Sequence, residues 1–438
     1  MNALSRLFLP CAGGVESLLV QEVAGILGPA GRAEAVRGGV RVGGADEAAV
    51  MRLNLESRLA QRVLVELAQG PYRLEDDLYA LAHEVDWTAW IGTRQTIKVE
   101  VTAQRSPLRS LNFAALRVKD ALCDRMREAA GARPDVDTQR PDLRVMLHLT
   151  EDHATLYADT SGEPLFKRGW REDKGEAPLK ETLAAAMLAA ADWRGTPEAG
   201  GALLDPCCGS GTIAIEAAQI ACHIAPGLRR RFAFERLRPF ATPENRARWA
   251  ALKEAAKARI APPAVPVFAS DVTFRMIDFA RRNAERAGVA HAIEFHGGDA
   301  LQRPAPPLPT GLQGTLMVNP PYGERIAARG SVGRGDAPGP RVQRSSSRAA
   351  ARQDETALSD DFFPRLAAHW KRHFTGWTAW VLSPDMKLPG LMRLKESRRV
   401  PLWNGPIECR LFRFDLVAGS LRPPADPPAT TGDQFKDR

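Results

Sequence analysis

The run Asp205-Pro206-Cys207-Cys208-Gly209-Ser210-Gly211-Thr212 follows an apolar stretch, Gly201 to Leu204, and leads into an apolar helix opening at Ile213. Strand, glycine turn and helix in that order confine this region to an α/β sheet. A second run, Asn319-Pro320-Pro321-Tyr322-Gly323, closes another apolar strand, Gly314 to Val318. Ligands of open α/β sheets sit outside the carboxyl ends of the strands, so both polar loops can face one pocket. One loop suits a nucleotide-like cofactor and the other can grip an amino group. Together they point to methyl transfer.

Gly209-Ser210-Gly211-Thr212-Ile213-Ala214 fits G-x-G-x-x-A. The glycines permit a tight turn and close backbone approach, and the helix start offers free N–H groups. NAD, FAD and S-adenosylmethionine sites share the pattern, as do plain strand–helix turns. The dinucleotide version expects an acid about 20 residues on. The better candidate here is Asp271, 60 residues past Gly211, between the strand Val265–Ala269 and a helix to about Ala287. An acid there can accept both ribose hydroxyls, although Asp also caps helices. Asp299 ends the next strand and can accept from an adenine amino group or simply make a turn.

Asn319-Pro320-Pro321-Tyr322 is the more specific signal. An exocyclic amine conjugated to a purine is a poor nucleophile because its lone pair is delocalised. If the Asn319 side-chain oxygen and the Pro320 carbonyl accept its two N–H bonds, the nitrogen can pyramidalise as it attacks. Those acceptors also match the positive charge that develops there. Pro320 and Pro321 stiffen the loop, and Tyr322 offers a ring for stacking the base. No general base or metal is evident, and holding the reactants in line would supply much of the rate.

The chain has 438 residues, enough for two or three domains, and its 44% apolar content fits a soluble globular protein. No stretch approaches the roughly 18 apolar residues of a membrane helix. The first ten residues hold too short an apolar run for a signal peptide. A cytoplasmic protein is expected. None of the six cysteines forms a C-x-x-C pair, which disfavours zinc and redox chemistry. A net charge of +8 permits a polyanionic partner without requiring one.

Hydrophobic periodicity divides the chain. Residues 1–65 read as a small α+β unit and 66–160 repeat that grammar, with a basic helix from Asn112 to Ala129 spaced by Leu116, Val118, Ala121, Leu122 and Met126. A connector with an alanine-rich helix spans 161–195, and strands alternate with helices through 196–417. Asn404-Gly405 between two apolar runs signals a closing hairpin. The Gly/Ser/Arg-rich segment 329–356 and the tail 418–438 read as disordered. Lys167-Arg168-Gly169-Trp170-Arg171 combines phosphate partners with a stacking ring, as RNA contact requires, though a solvated linker would look alike.

These runs, with Ala177-Pro178-Leu179-Lys180-Glu181-Thr182, Ser383-Pro384-Asp385 and Asn404-Gly405-Pro406-Ile407-Glu408-Cys409, resemble the THUMP-domain RNA methyltransferases, most closely the bacterial 23S rRNA guanine-N2 enzymes. The resemblance covers about residues 5 to 415. It implies a ferredoxin-like start (1–65), a THUMP RNA-binding module (66–160) and a Rossmann-like class I methyltransferase domain (196–417). It implies S-adenosylmethionine held by Asp205, Pro206, Cys208, Gly209, Ser210, Gly211, Asp271 and Asp299, and the target amine held at Asn319–Tyr322. With no second methyltransferase domain expected after residue 417, the resemblance implies only guanine-N2 transfer. Large-subunit rRNA, alone or in an assembling particle, is the expected partner. A THUMP methyltransferase acting on tRNA and a non-catalytic RNA-binding assembly factor are the alternatives.

Overall fold

The computed structural model describes residues 6–28, 31–175, 178–320 and 361–417. Pro321, Tyr322, the 329–356 segment and the 418–438 tail lie outside the described residues.

The first sheet takes its elements in the order β1 (Arg6–Pro10), α1 (Glu16–Leu27), β2 (Arg32–Val36), β3 (Gly39–Gly43), α2 (Glu47–Glu56), β4 (Leu64–Pro71), α3 (Glu75–His83), β5 (Thr96–Ala103), α4 (Leu111–Ala130), β6 (Asp135–Val136), β7 (Leu143–Leu149) and β8 (His153–Asp159). Its strand order is β2-β3-β1-β4-β8-β7-β5-β6. β4 joins the two halves. Its first residues, Leu64 and Val65, pair with β1, and the strand pairs along its length with β8. One sheet therefore runs through residues 65 and 66, where the sequence pattern suggested a division.

Local chemistry accounts for the helices. The Asp46 carboxylate accepts from the Ala49 N–H at 2.8 Å and starts α2. Ser110 does the same for α4 through Phe113. On α4 the residues Ala114, Val118, Ala121, Leu122 and Met126 are buried, the 3.6-residue stripe of a half-buried helix. Leu116, expected on that stripe, is 48% exposed because it lies two positions off it. β2 escaped the sequence pattern because it is an edge strand with little burial.

The second sheet follows α5 (Glu181–Ala190) and runs β9 (Ala202–Asp205), α6 (Thr212–Ala221), α7 (Pro243–Ala258), β10 (Val267–Asp271), α8 (Phe274–Ala287), β11 (Ile293–Gly297), β12 (Gly314–Val318), α9 (361–373), β13 (Thr378–Ser383), α10 (Leu388–Met392), β14 (Arg398–Asn404) and β15 (Ile407–Asp415). The order is β11-β10-β9-β12-β13-β15-β14. In that order the first five strands are parallel, and the β14–β15 hairpin closes the edge antiparallel, turning at Gly405-Pro406 with Asn404 paired to Ile407.

Period-two alternation sends the strand side chains to two cores. Leu203, Val267, Ala269, Met317 and Trp380 face α5, α6 and α8 in a core that continues into the amino-terminal units. Ala202, Leu204, Phe268, Leu316 and Val318 face Phe363, Leu366 and Trp370 of α9. The amino-terminal unit also touches the hairpin. The Trp403 N–H donates to the Gly13 carbonyl at 3.2 Å, and a Cβ on Gly14 (φ +81) would stand 2.2 Å from the Pro401 oxygen. Glycine is required at that contact.

Candidate active site

The strand order reverses between β9 and β12, which makes this the topological switch point. β9 lies between β10 and β12, with Asp205 opposite Ala269 and Leu204 opposite Leu316. Neighbouring strands are about 4.8 Å apart, so Asp205, Asp271 and Asn319 emerge side by side from three adjacent carboxyl ends.

The glycine loop is braced from every side. Cys208 N–H donates to the Ser270 carbonyl at 2.9 Å, Gly209 N–H to Asp271 Oδ2 at 2.9 Å, and Gly211 N–H to the Cys208 carbonyl at 2.8 Å. Gly211 takes φ +88, and a Cβ there would lie 2.9 Å from the Cβ of Ala280 on α8. That glycine lets α6 and α8 pack. Gly209, also at positive φ, has nothing within 4 Å of where a Cβ would be. Its open side leaves room for a ligand to lie against the backbone, and the first N–H groups of α6 are free of intrahelical partners.

Two carboxylates stand beneath this loop. Asp205 is 1% exposed and accepts from the Cys207 N–H at 3.2 Å. Burial, with the nearby Asp271 charge adding to it, pushes its carboxyl up to about 8. Burial likewise raises the Cys208 thiol, which leaves no reactive thiolate at that position. Asp271, 2% exposed, gives one oxygen to Gly209 and the other to the Thr273 N–H at 2.9 Å. It is not the α8 cap; Thr273 holds that position. Each Asp271 oxygen keeps a lone pair that a ribose hydroxyl can use. Asp299 is half-buried and holds a turn through the Leu301 N–H at 2.9 Å. Pro206 is buried beside Asp205.

On the other side of β9, Asn319 is half-buried, and its Oδ1 is a buried atom with no hydrogen-bond partner among the described residues. An idle buried acceptor is costly unless a ligand completes it. Pro320 behind it is buried.

The 167–171 run departs from its expected role. Arg168 is 2% exposed and donates from Nε to Glu216 Oε1 at 3.0 Å, and Trp170 is 1% exposed. A ring and a guanidinium so enclosed cannot stack a base or meet a phosphate without leaving the core. Arg171 holds the glycine loop instead, donating to Ser210 Oγ at 2.9 Å, Thr212 Oγ1 at 2.8 Å and Glu181 Oε1 at 2.8 Å. Among the run's charged and aromatic side chains Lys167 alone stays exposed, paired with Glu163. The reason is electrostatic: Glu216 and Glu181 are buried on α6 and α5 and need cations. Glu216 lies 48 residues from Arg168 and Glu181 lies 10 from Arg171, both outside the run, so its composition could not disclose the pairing.

Three further residues belong to the site and were not singled out by sequence. Asn283 on α8 donates to the Ser210 carbonyl at 3.1 Å and locks the loop from outside. Arg58 of the amino-terminal unit reaches Glu216 at 3.3 Å, linking that unit to α6. Phe274 is 75% exposed with its ring against Gly297, beside the Asp299 turn. A phenylalanine one residue past a helix cap, just after an acidic strand end, was the available signal for the last.

Family models match three consecutive segments: the RlmL ferredoxin-like domain over residues 6–64, the THUMP domain over 72–159, and the RMKL-like methyltransferase domain over 168–334. Ribosomal RNA large subunit methyltransferase K/L of Pseudomonas paraeruginosa is 37% identical over 424 residues, 95% of this chain and 53% of that protein. Its counterpart from Shewanella oneidensis is 36% identical over 376 residues, 85% of this chain and 48% of that protein. The chain thus spans about half the length of the curated relatives it matches. Among solved structures, a "possible methylase" from Clostridium difficile 630 matches with TM-score 0.77 and 26% identity, covering 94% of this chain and 98% of the other. SMU.472, solved in complex with SAH, matches in fold with TM-score 0.77 at 24% identity, covering 95% and 99% of the two chains.

Proposed function

We propose, from the premise that the chain belongs to the THUMP-containing RMKL-like methyltransferases, that it transfers a methyl group from S-adenosylmethionine to the exocyclic N2 of a guanosine in 23S rRNA, acting in the cytoplasm. The observation that carries this reading is the idle acceptor Asn319 Oδ1, one strand from a glycine loop with an open face.

The residues present fit the methyl donor. Gly209 leaves backbone open to it, Ser210 and Thr212 are fixed by Arg171, and Asp271 would accept from the ribose hydroxyls. Phe274 offers an apolar face for the adenine and Asp299 an acceptor for its amino group. Bound there, S-adenosylmethionine supplies a methyl electrophile on a sulfonium.

The chain's own contribution is positioning and charge. Asn319 Oδ1 and the Pro320 carbonyl accept the two N–H bonds of the guanine N2, drawing its lone pair out of conjugation and toward the methyl. The positive charge that grows on the nitrogen as it is methylated would be stabilised by those two oxygens. The surplus proton then passes to solvent. Tyr322, outside the described residues, is assigned the stacking surface for the base.

Nucleoside mass spectrometry with site mapping, on rRNA and tRNA from cells lacking the gene, tests the reading. Loss of N2-methylguanosine at one 23S position, restored by wild type and not by Asn319→Ala, is the expected result. A lost tRNA mark with rRNA unchanged moves the substrate to tRNA. No lost mark in either pool overturns the enzymatic reading in favour of an RNA-binding factor.

A further inference from the structure

A cleft of about 830 Å³ lies where three parts of the chain meet, away from the glycine loop. One wall is the segment entering β7 with Arg144 on that strand. A second is the stretch from Ser161 to Lys167. The third is the segment from Leu228 to Arg236 between α6 and α7, with Lys253 on α7. Seven basic side chains line it against two acidic ones.

The surplus is built in rather than scattered. Of the seven, Arg144 pairs with Asp159 and Glu100, Lys167 with Glu163 and Arg236 with Asp142, and Asp159 is shared with Arg62 outside the cleft. Arg230 has no carboxylate partner among the described residues. It donates to the carbonyls of Pro164 at 2.7 Å, Lys167 at 2.9 Å, Ser161 at 3.3 Å and Glu163. Arg231 and Lys253 likewise have no ion-pair partner among the described residues, and Arg231 is exposed. Cations gathered at a junction with too few carboxylates raise the local potential and call for an anion from outside. The walls come from the THUMP segment and the methyltransferase segment, so an occupant would bridge the two.

We infer that this cleft seats the phosphate backbone of the RNA substrate, with Arg231 and Lys253 as contacts and Arg230 fixing the floor. The inference rests on the RNA methyltransferase reading and adds to it the docking surface that the buried Arg168 and Trp170 cannot supply. RNA is favoured over an acidic protein because seven basic side chains spread over three walls, against two acidic ones, match the regular charge of a phosphate backbone.

The test is the double reversal Arg231→Glu with Lys253→Glu. Binding of a fluorescein-labelled rRNA hairpin is measured across a salt series, and binding of S-adenosylmethionine by calorimetry. The expected result is RNA affinity weakened more than tenfold and a salt slope flattened by about 1.4 to 1.8, since each of the two phosphate contacts contributes about 0.7–0.9. S-adenosylmethionine affinity stays unchanged and reports an intact fold. Wild type and variant binding RNA equally would overturn the cleft as the docking surface and leave the methyltransferase reading standing. A wild type that binds no RNA but captures poly-glutamate through these two residues would assign the cleft to an acidic protein and overturn both.

Discussion

The two loops at the switch point differ in how their polar atoms are used. In the glycine loop the partners are internal: Ser270, Asp271, Arg171 and Asn283 all hold it in place. In the Asn319 loop the side-chain oxygen is buried and idle. A donor-binding cradle must keep one shape whether or not it is filled. An amine-gripping acceptor must leave its valence open for substrate. The difference teaches that substitutions in the first region act through structure and in the second through chemistry.

The largest expected break of that contrast is Arg168→Ala. It leaves Glu216 buried with one cation fewer and empties a fully packed site, costing about 3–5 kcal/mol of stability. Denaturant titration would show it as a lower midpoint. A variant equally stable but deficient in RNA binding would instead return Arg168 to the RNA-contact role its neighbourhood in sequence suggested. Asn319→Ala comes next, with the opposite signature. Removing one preorganised acceptor lowers kcat about 100- to 1000-fold, while stability holds because Oδ1 has no hydrogen-bond partner among the described residues to lose. Arg171→Lys follows. A single ammonium cannot span Ser210, Thr212 and Glu181 together, so S-adenosylmethionine affinity falls by about tenfold, or roughly 1.4 kcal/mol, with the residual kcat changed less. Unchanged affinity would mean the loop holds its shape without this brace.

The same contrast explains what the sequence disclosed. The β9 and β12 strands and their polar ends were legible because apolar runs stop abruptly at Asp205 and Asn319, and glycine and proline mark the turns. The β14–β15 hairpin was legible from Asn404-Gly405. Those are local signals. The destination of Arg168 and Trp170 was not, because burial depends on Glu216, 48 residues away, and on packing between domains. Nor was the continuous first sheet, since β4 reads as one strand of either unit and only its two neighbours show that it belongs to both. Charge in a sequence marks a partner without saying whether it lies inside or outside the protein.

The buried carboxyl of Asp205 sharpens the comparison from beneath the glycine loop. The Asp205 carboxyl is held near 8 by burial and by Asp271, against about 3.9 for an exposed Asp. Between those values the folded protein keeps a proton that the unfolded chain has released. Stability contributed by this group therefore declines as pH rises from about 4 toward 8 and is level above it, at a slope of at most about 1.4 kcal/mol per pH unit. Asp205→Asn removes the titration while keeping an acceptor for the Cys207 N–H. Denaturant curves for wild type and variant at pH 6 and pH 8 give the difference, which should widen in the variant's favour as pH rises. Curves that stay parallel would mean that Asp205 is ionised throughout that range and that burial does not hold its proton.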